Sequence, residues 1–155
     1  MLVLNFVLAL FLQTLQTAQS PAAVQIVLVG LQDGTQVTVG NPEFSGFIDS
    51  RNGDAVLFYR ERSLHGEMPV RTIAKIDFGP YSTGKPFPLK ITLRNGEQLN
   101  VETERRDFLT IKGRTENGIV TIKHPDPISA PIRLSTKKAN RAKDLTIQYL
   151  EFPVS

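Results

Sequence analysis

The sequence predicts an all-β fold. Short segments rich in β-branched and aromatic residues follow one another along the chain after residue 22. Asp-Gly or Asn-Gly dipeptides separate them at Asp33, Asn52, Asn95 and Asn117, and such dipeptides favour the tight turns of β-hairpins. No stretch after residue 22 has a convincing helical period.

The predicted strands can be justified in chain order. They lie on both sides of Asp33-Gly34 within residues 24–39, at 55–59, on both sides of Asn95-Gly96 within residues 89–102, at 108–113 and at 118–124. In the last of these segments, polar and apolar residues alternate in a way that suits a strand with two different faces.

Composition limits the size and the chemistry of the protein. The 155 residues allow one ordinary domain or two very small ones, and 41% hydrophobic with 21% charged residues describe a chain that can bury a core. The absence of cysteine excludes disulfides, thiolate metal sites and a cysteine nucleophile. Stability must therefore come from packing.

The N-terminal segment predicts export. No Asp, Glu, Lys or Arg precedes Asp33, and residues 2–12 are almost wholly apolar. This run is shorter than the roughly 20 residues that span a bilayer, and it fits the centre of a secretory signal. We expect residues 1–22 to be a signal peptide of a secreted or periplasmic protein without a stable transmembrane span. An uncleaved anchor and a buried first helix are the alternatives.

Two cleavage points fit this segment. The small-x-small site Ala18-Gln19-Ser20 is followed by Pro21, which hinders cleavage, whereas cleavage after Ala22 uses Ser20 as the other small residue. The mature protein is expected to begin near Ala23.

The chain contains an internal repeat. The segment "LQDGTQVTV" from Leu31 matches "LRNGEQLNV" from Leu93, and "TIAKIDF" at 72–78 matches "TIQYLEF" at 146–152. Phe44 corresponds to Phe108, and residues 50–58 correspond to 114–122. The offset between matching features grows from 62 to 74 residues, mostly because of extra residues at 124–144. Repetition in one order indicates two copies of one structural unit.

The spacing within the "TIAKIDF" phrase predicts how it is built. A spacing of three from Ile73 to Ile76 suits a tight 3₁₀ turn, and a spacing of two from Ile76 to Phe78 suits a strand. We expect a single turn that runs into a closing strand, with these three residues and their partners Ile147, Leu150 and Phe152 pointing inward. The acids Asp77 and Glu151 are expected to face water.

The order of strands, Asp/Asn-Gly hairpins and closing Ile-x-x-Ile-x-Phe phrase resembles the small Sm-like β-barrels found as modules in exported bacterial proteins. The resemblance covers residues 26–78 and 89–152. It implies two tandem five-stranded barrel repeats, at 23–78 and 89–155, joined by a linker at 79–88 and packed as one compact unit. It says little about activity.

The two histidines raise the possibility of a metal site. Both occur as His-x-acid, in His65-Gly66-Glu67 and His124-Pro125-Asp126, and these donors would suit a divalent transition-metal ion if the two triplets converged. We expect instead that both triplets are exposed loop residues at strand ends. No metal site and no cofactor are therefore predicted.

Catalytic patterns are also not predicted. The aspartates Asp33, Asp49, Asp54, Asp107 and Asp126 are available as acids or bases, but Asp33 and Asp54 belong to turn dipeptides, where Asp bonds to the local backbone. The serine in "FSG" at 44–46 lacks the Gly-x-Ser-x-Gly elbow. We predict no catalytic residues and no enzyme, with a hydrolase as the least favoured alternative.

Five basic residues within the second repeat are the predicted binding site. They are Arg133, Lys137, Lys138, Arg141 and Lys143, countered locally by Asp144. Such a cluster attracts phosphate polymers, anionic lipid heads or acidic polysaccharide. The segment contains no aromatic residue that would stack on bases. A solvated loop is the other interpretation.

Together these observations predict a non-catalytic binding or assembly module of the cell envelope. Its partner is expected to be an unknown envelope protein or an anionic polymer. The alternative function is polyanion or nucleic-acid binding through the basic insert at 133–143, although an exported protein is not expected to meet nucleic acid. An assembly module should present an open strand edge or an apolar patch, where the repeats meet or at the N-terminal strand.

Overall fold

The structure, a computed structural model, describes residues 23–81, 85–104, 108–125 and 147–154. The predicted signal peptide at 1–22 and the basic insert lie outside these ranges. The described residues form eleven strands and one 3₁₀ turn, which confirms the all-β prediction. The strands are β1 (Ile26–Leu31), β2 (Gln36–Gly46), β3 (Ile48–Arg51), β4 (Asp54–Glu61), β5 (Leu64–Pro69), β6 (Ile73–Phe78), β7 (Pro88–Leu93), β8 (Gln98–Thr103), β9 (Leu109–Thr115), β10 (Gly118–His124) and β11 (Ile147–Glu151), with the 3₁₀ turn at Val70–Thr72.

All eleven strands belong to one curled antiparallel sheet that forms a half-barrel. The order of the strands is β10-β9-β2-β1-β11-β6-β7-β8-β4-β3, and β5 pairs with β4 beside this path. Sheet pairing therefore runs continuously through both halves of the chain. The division into two five-stranded repeats stays a prediction.

The predicted hairpins are confirmed. Asp33-Gly34, Asn52-Gly53, Asn95-Gly96 and Asn117-Gly118 lie at the β1–β2, β3–β4, β7–β8 and β9–β10 connections. The first and third turns have the same geometry, because the Oδ1 atoms of Asp33 and Asn95 each accept a hydrogen bond from the backbone N–H two residues later, at 2.8 and 2.9 Å. The aligned segments thus form equivalent turns.

The two matching phrases at 72–78 and 146–152 pair with each other. In the β6–β11 ladder, Tyr149 faces Asp77, Leu150 faces Ile76 and Glu151 faces Lys75. The two phrases are offset by 74 residues, so Tyr149 is equivalent to Lys75 and Asp77 is equivalent to Glu151. The first pair of the ladder is therefore equivalent to the third. The ladder is therefore symmetric about the Ile76–Leu150 pair.

The outer partners of β6 and β11 follow the same symmetry. β11 pairs with β1, the first strand of the other half, and β6 pairs with β7 in the equivalent register. The Val29–Leu150 pair corresponds to the Ile91–Ile76 pair. Each closing strand therefore joins the first strand of the opposite half. Because β1 is paired on both sides, the predicted open edge at the N-terminal strand is wrong, and the junction between the halves is likewise closed by strand pairing.

A β-bulge explains the spacing of three in each phrase. The register skips Ala74 between Ile73 and Lys75, and it skips Gln148 at the matching place in β11. An extra residue in one strand shifts the alternation of side chains by one position. The expected 3₁₀ turn ends at Thr72, before Ile73, so it does not itself produce this spacing.

The core lies on the concave side of the sheet and is shared by both halves. The inward positions predicted from the phrases are confirmed, since Ile73, Ile76, Ile147, Leu150 and Phe152 are all buried and Phe78 packs against the core. The other buried core residues are Val27, Val29, Leu31, Val39, Phe44, Phe47, Ile48, Ala55, Leu57, Val70, Phe87, Leu89, Ile91, Val101, Leu109, Ile111, Val120 and Ile122. One hydrophobic cluster therefore holds the described strands together.

Shortening Leu150 tests the importance of the symmetric pair. We expect Leu150→Ala to reduce the free energy of unfolding by roughly 2–5 kcal/mol, because it leaves a cavity in a fully buried site. The control Gln148→Ala, at the exposed bulge position of the same strand, is expected to change it by less than about 0.5 kcal/mol. Urea denaturation followed by circular dichroism measures both values, and equal effects of the two substitutions would contradict the assigned pairing.

Candidate functional site

The five predicted basic residues lie outside the described part of the chain. Arg133, Lys137, Lys138, Arg141 and Lys143 all fall between Pro125 and Ile147, where no residue is described. Their role as a binding site stays a prediction. The described residues nevertheless show where this segment is attached, because it follows β10 and precedes β11 in the chain.

The two histidines lie in different environments. His65 is on β5, and its Nδ1 lies 3.0 Å from Oε1 of Glu104. His124 ends β10 and is only 4% exposed, so the prediction that both triplets are exposed loops is wrong for His124. The strand alternation that buries Val120 and Ile122 also turns His124 inward. The described residues contain no group of three or more histidines and acids that would hold a metal ion.

His124 is surrounded by aromatic rings. Its ring centre lies 4.9 Å from that of Phe78, 5.2 Å from that of Phe87 and 5.9 Å from that of Tyr81. Neither ring nitrogen has a hydrogen-bond partner among the described residues. Burial in these surroundings disfavours the charged ring and lowers the pKa of His124 to about 4.

The candidate acids are engaged in local contacts. Asp33 caps its turn, and the hydrogen bond from the Thr35 backbone lowers its pKa. Asp54 accepts a hydrogen bond from the Ala55 backbone and pairs with the guanidinium of Arg71. Both aspartates therefore bond to the nearby backbone, as predicted, and Asp54, the first residue of β4, also joins β4 to the 3₁₀ turn. Asp49 pairs with Arg51, whereas Asp107 and Asp126 lie outside the described residues.

The three tyrosines occupy separate places. Tyr149 lies opposite Gly30 and Tyr59 lies opposite Gly66. A Cβ at Gly30 would lie 2.1 Å from the ring of Tyr149, and one at Gly66 would lie 2.3 Å from the ring of Tyr59. Both rings therefore pack over a glycine of the next strand. Tyr81 instead belongs to the cluster around His124.

Three cations on β9 and β10 share the outer face of the sheet. Lys112, Arg114 and Lys123 are exposed at alternate positions of their strands, while the intervening residues point to the core. In the ladder, Lys112 lies opposite Thr121 and Lys123 lies opposite Thr110. None of the three cations forms an ion pair with a described residue. We call these three residues the β9–β10 basic face.

A bulge in β2 borders the β9–β10 basic face. Gly40 pairs with Arg114 and Glu43 pairs with Lys112, so that Asn41 and Pro42 together stand opposite one residue of β9. The bulge lies next to a depression of about 450 Å³. Its lining residues are Asn41, Glu43, Lys112, Gly113, Arg114 and Ile119. Glu43 is the one acid among them.

The outer face of β6 and β11 differs from the β9–β10 basic face because its charges compensate each other. Lys75 Nζ lies 3.0 Å from Asp77 Oδ1 and 4.7 Å from the centre of the Tyr149 ring. The hydrogen bond to Asp77 raises the pKa of Lys75, and the charge of Glu151 acts in the same direction. Lys75 is therefore compensated within the sheet, whereas the three cations of the β9–β10 basic face have no ion pair with a described residue.

Sequence reasoning missed the β9–β10 basic face although its signal was present. Lys112 and Arg114 are two residues apart, as same-face residues of a strand must be, and the Asn117-Gly118 turn brings Lys123 beside them. A search for runs of basic residues does not detect cations that are separated by apolar core residues. Pairing the two strands across the predicted turn, and then selecting every second residue, would have placed the three cations on one face.

The lowered pKa of His124 predicts how stability depends on pH. Because its folded pKa of about 4 lies below the ordinary value of 6.5, the unfolded chain binds a proton more readily between these values. Stability from this residue is present above pH 6.5 and is lost as the pH falls toward 4, by up to about 3 kcal/mol.

The variant His124→Phe measures this contribution. Denaturant unfolding at a series of pH values should show a smaller loss of stability between pH 6.5 and 4 in the variant than in the wild type. His65→Phe, which removes the exposed contact with Glu104, shows whether loss of the other histidine has the same effect. Parallel curves for the wild type and His124→Phe would show that this histidine is not buried in the neutral form.

Comparison of the chain with family models, with curated proteins and with solved structures found no match in any of the three. The described part of the chain has no helix of the length and hydropathy needed to cross a membrane.

Proposed function

We propose that the protein is an exported, non-catalytic binding module of the cell envelope, and that it binds an anionic polymer through the β9–β10 basic face. The observation that carries this proposal is the absence of any ion pair between Lys112, Arg114 or Lys123 and a described acid. Cations without an internal partner are available to an external one. The described geometry therefore favours a polyanion, which is the alternative ligand class predicted from the sequence.

The dimensions of the β9–β10 basic face suit an extended ligand. Residues two apart on a strand are separated by about 7 Å, and neighbouring strands are separated by about 5 Å. Hydroxyl groups of Thr110 and Thr121 lie opposite Lys123 and Lys112. A flexible polymer with repeated negative groups can contact several of these cations at once and release counterions as it does so.

The basic insert extends the same interaction in this proposal. Lys123 lies ten residues before Arg133 along the chain, so the five cations of the insert are tethered to the end of β10. Two linked groups of cations bind one polymer more tightly than either group alone, because the second contact forms at high effective concentration.

The exposed ring of Phe108 lies at the start of β9. Phe108 is 44% exposed and precedes Thr110 by two positions. Residues two apart in an extended chain point to the same face of the sheet. An exposed aromatic ring next to cations can stack on a sugar ring or on a base. Export favours an acidic polysaccharide over nucleic acid in this proposal.

The finer architecture is proposed together with the function. We propose that the halves are two tandem Sm-like repeats whose closing strands have been exchanged. β2 and β3 are separated by Phe47 alone, so that counting them as one bent strand gives five strands from β1 to β6. The symmetric registers of β6 and β11 support this arrangement.

A second candidate function is assembly with an envelope protein through β5. Among the described strands β5 pairs with β4 alone, and Leu64 at its start is 69% exposed. An unpaired strand edge with an exposed apolar side chain favours the addition of a strand from another chain.

Removing lysines from the β9–β10 basic face tests the first proposal. We expect Lys112→Ala/Lys123→Ala to weaken heparin binding about tenfold at low salt and to reduce the slope of log affinity against log salt by about two. Fluorescence anisotropy with labelled heparin at several NaCl concentrations measures both quantities. Lys85→Ala/Lys90→Ala removes the same charge from exposed sites elsewhere and should leave the slope nearly unchanged.

The other outcomes separate the contributions of the two basic regions. If the two double variants behave alike while alanine at Lys137, Lys138, Arg141 and Lys143 abolishes binding, the insert alone is the site. Heparin binding that does not weaken as the salt concentration rises would contradict a role for either basic region. An oligonucleotide that binds more tightly than heparin would replace the polysaccharide with nucleic acid.

Assembly through β5 predicts a different sensitivity. Leu64→Asp should abolish capture of an envelope protein by the immobilised chain, because it places a charge at the start of the open edge. Ile119→Asp, at a similarly exposed apolar residue of β10 (59% exposed), should not. Equal capture by both variants, or capture of nothing by the wild type, would exclude β5 as the contact.

A further inference from the structure

A second cavity lies where the segments at both ends of the described chain meet the start of the β7–β8 turn. Its volume is about 240 Å³. Its lining residues are Ala23, Val24, Gln25, Arg71, Arg94, Phe152, Pro153 and Val154. It therefore combines segments before β1, in the 3₁₀ turn, after β7 and after β11.

The guanidinium of Arg94 is held in a defined position beside this cavity. Its Nε donates a 2.7 Å hydrogen bond to the backbone carbonyl of Arg71, and its own backbone N–H donates to the carbonyl of Thr72 at 3.0 Å. Two bonds to consecutive residues of the 3₁₀ turn fix both the backbone and the first nitrogen of the side chain. The two terminal nitrogens of Arg94 make no hydrogen bond or ion pair with a described residue.

Arg71 does not compete for the same ligand. Its guanidinium is engaged by the carboxylate of Asp54, which balances its charge. Arg94 has no acid paired with it among the described residues. The cavity therefore presents one uncompensated positive charge, and this charge is at Arg94.

Most of the other lining residues of the cavity are apolar. Phe152 is buried and its ring packs at 6.3 Å from that of Phe44, which holds it in place. Val24 is half-buried against the core, whereas Pro153 and Val154 are exposed. An apolar lining together with a guanidinium that is held by the backbone is complementary to a molecule with one negative end and one apolar end.

We propose that this cavity binds a carboxylate that carries a short apolar tail. The planar guanidinium matches the two oxygens of a carboxylate, and the tail would cover Val24 and the exposed Pro153 and Val154. The volume lies just below the roughly 300–1,000 Å³ of pockets for drug-sized ligands, so the ligand is small. Two sources have this chemistry, namely a free short-chain carboxylic acid and the C-terminal carboxylate of a peptide that ends in an apolar residue.

Titration of the full chain followed by amide chemical shifts tests the proposal. Hexanoate should shift the resonances of Val24, Arg94 and Phe152 with saturation in the millimolar range, whereas hexan-1-ol and hexylamine should bind at least about tenfold more weakly because they lack the carboxylate. Equal shifts with hexan-1-ol, or no shifts at these residues up to about 50 mM hexanoate, would overturn the proposal.

Variants of Arg94 separate the charge from the planar fork. We expect Arg94→Ala to weaken hexanoate binding at least about tenfold. Arg94→Lys should weaken it by a smaller factor, because lysine keeps the positive charge but cannot donate two parallel hydrogen bonds to the carboxylate. Lys90→Ala, which removes an exposed cation from β7, the strand that leads into Arg94, is the matched control and should bind as the wild type does.

Two further measurements cover the remaining outcomes. If Arg94→Ala does not retain a dispersed spectrum, Val24→Gln tests the apolar lining instead, and unchanged hexanoate binding in that variant would contradict the proposal. N-acetyl-leucine distinguishes the two sources, since tighter binding than hexanoate indicates a peptide C-terminus and weaker binding indicates a free acid. Both results support a carboxylate site and neither depends on the β9–β10 basic face.

Discussion

The antiparallel pairing of β6 with β11 is the contact on which the rest of the fold depends. It joins residues that are 74 positions apart, and Ile76 and Leu150 at its centre are both fully buried. Each of these side chains contributes about 1.5–3 kcal/mol by burial. Because β1 adds to one side of this pair and β7 to the other, the two halves form a continuous sheet around it. β6 and β11 are therefore each paired only with strands from the other half of the described chain.

The single shared sheet explains how this chain can be stable without disulfides. A separate unit of about 55 residues would bury only about 60% of its unfolded surface and would be marginally stable. One core shared by both halves removes more apolar surface from water than two separate cores would. On the outer face, the three cations of the β9–β10 basic face have no ion pair with a described residue, while Lys75 at the β6–β11 junction pairs with Asp77.

Local elements were predictable because their signals are local. The four Asp-Gly or Asn-Gly hairpins and the inward positions of Ile73, Ile76 and Leu150 follow from short-range turn chemistry and alternation. β5 was not predicted, since Gly66 and Pro69 interrupt its pattern and none of its residues is buried. The burial of His124 was also missed, because its triplet lies at a strand end, where an exposed loop was expected, although strand alternation continues to that residue.

The amino-acid sequence by itself determined the all-β class, the positions of the hairpins and the repetition of the closing phrase, since each depends on residues close together in the chain. The tertiary structure alone decided that the two closing phrases pair with each other, that β1 is internal, and that Arg94 and Phe152 line the same cavity. Those contacts join residues tens of positions apart. Many pairings of strands satisfy the same local pattern, and only the burial of one common core selects among them.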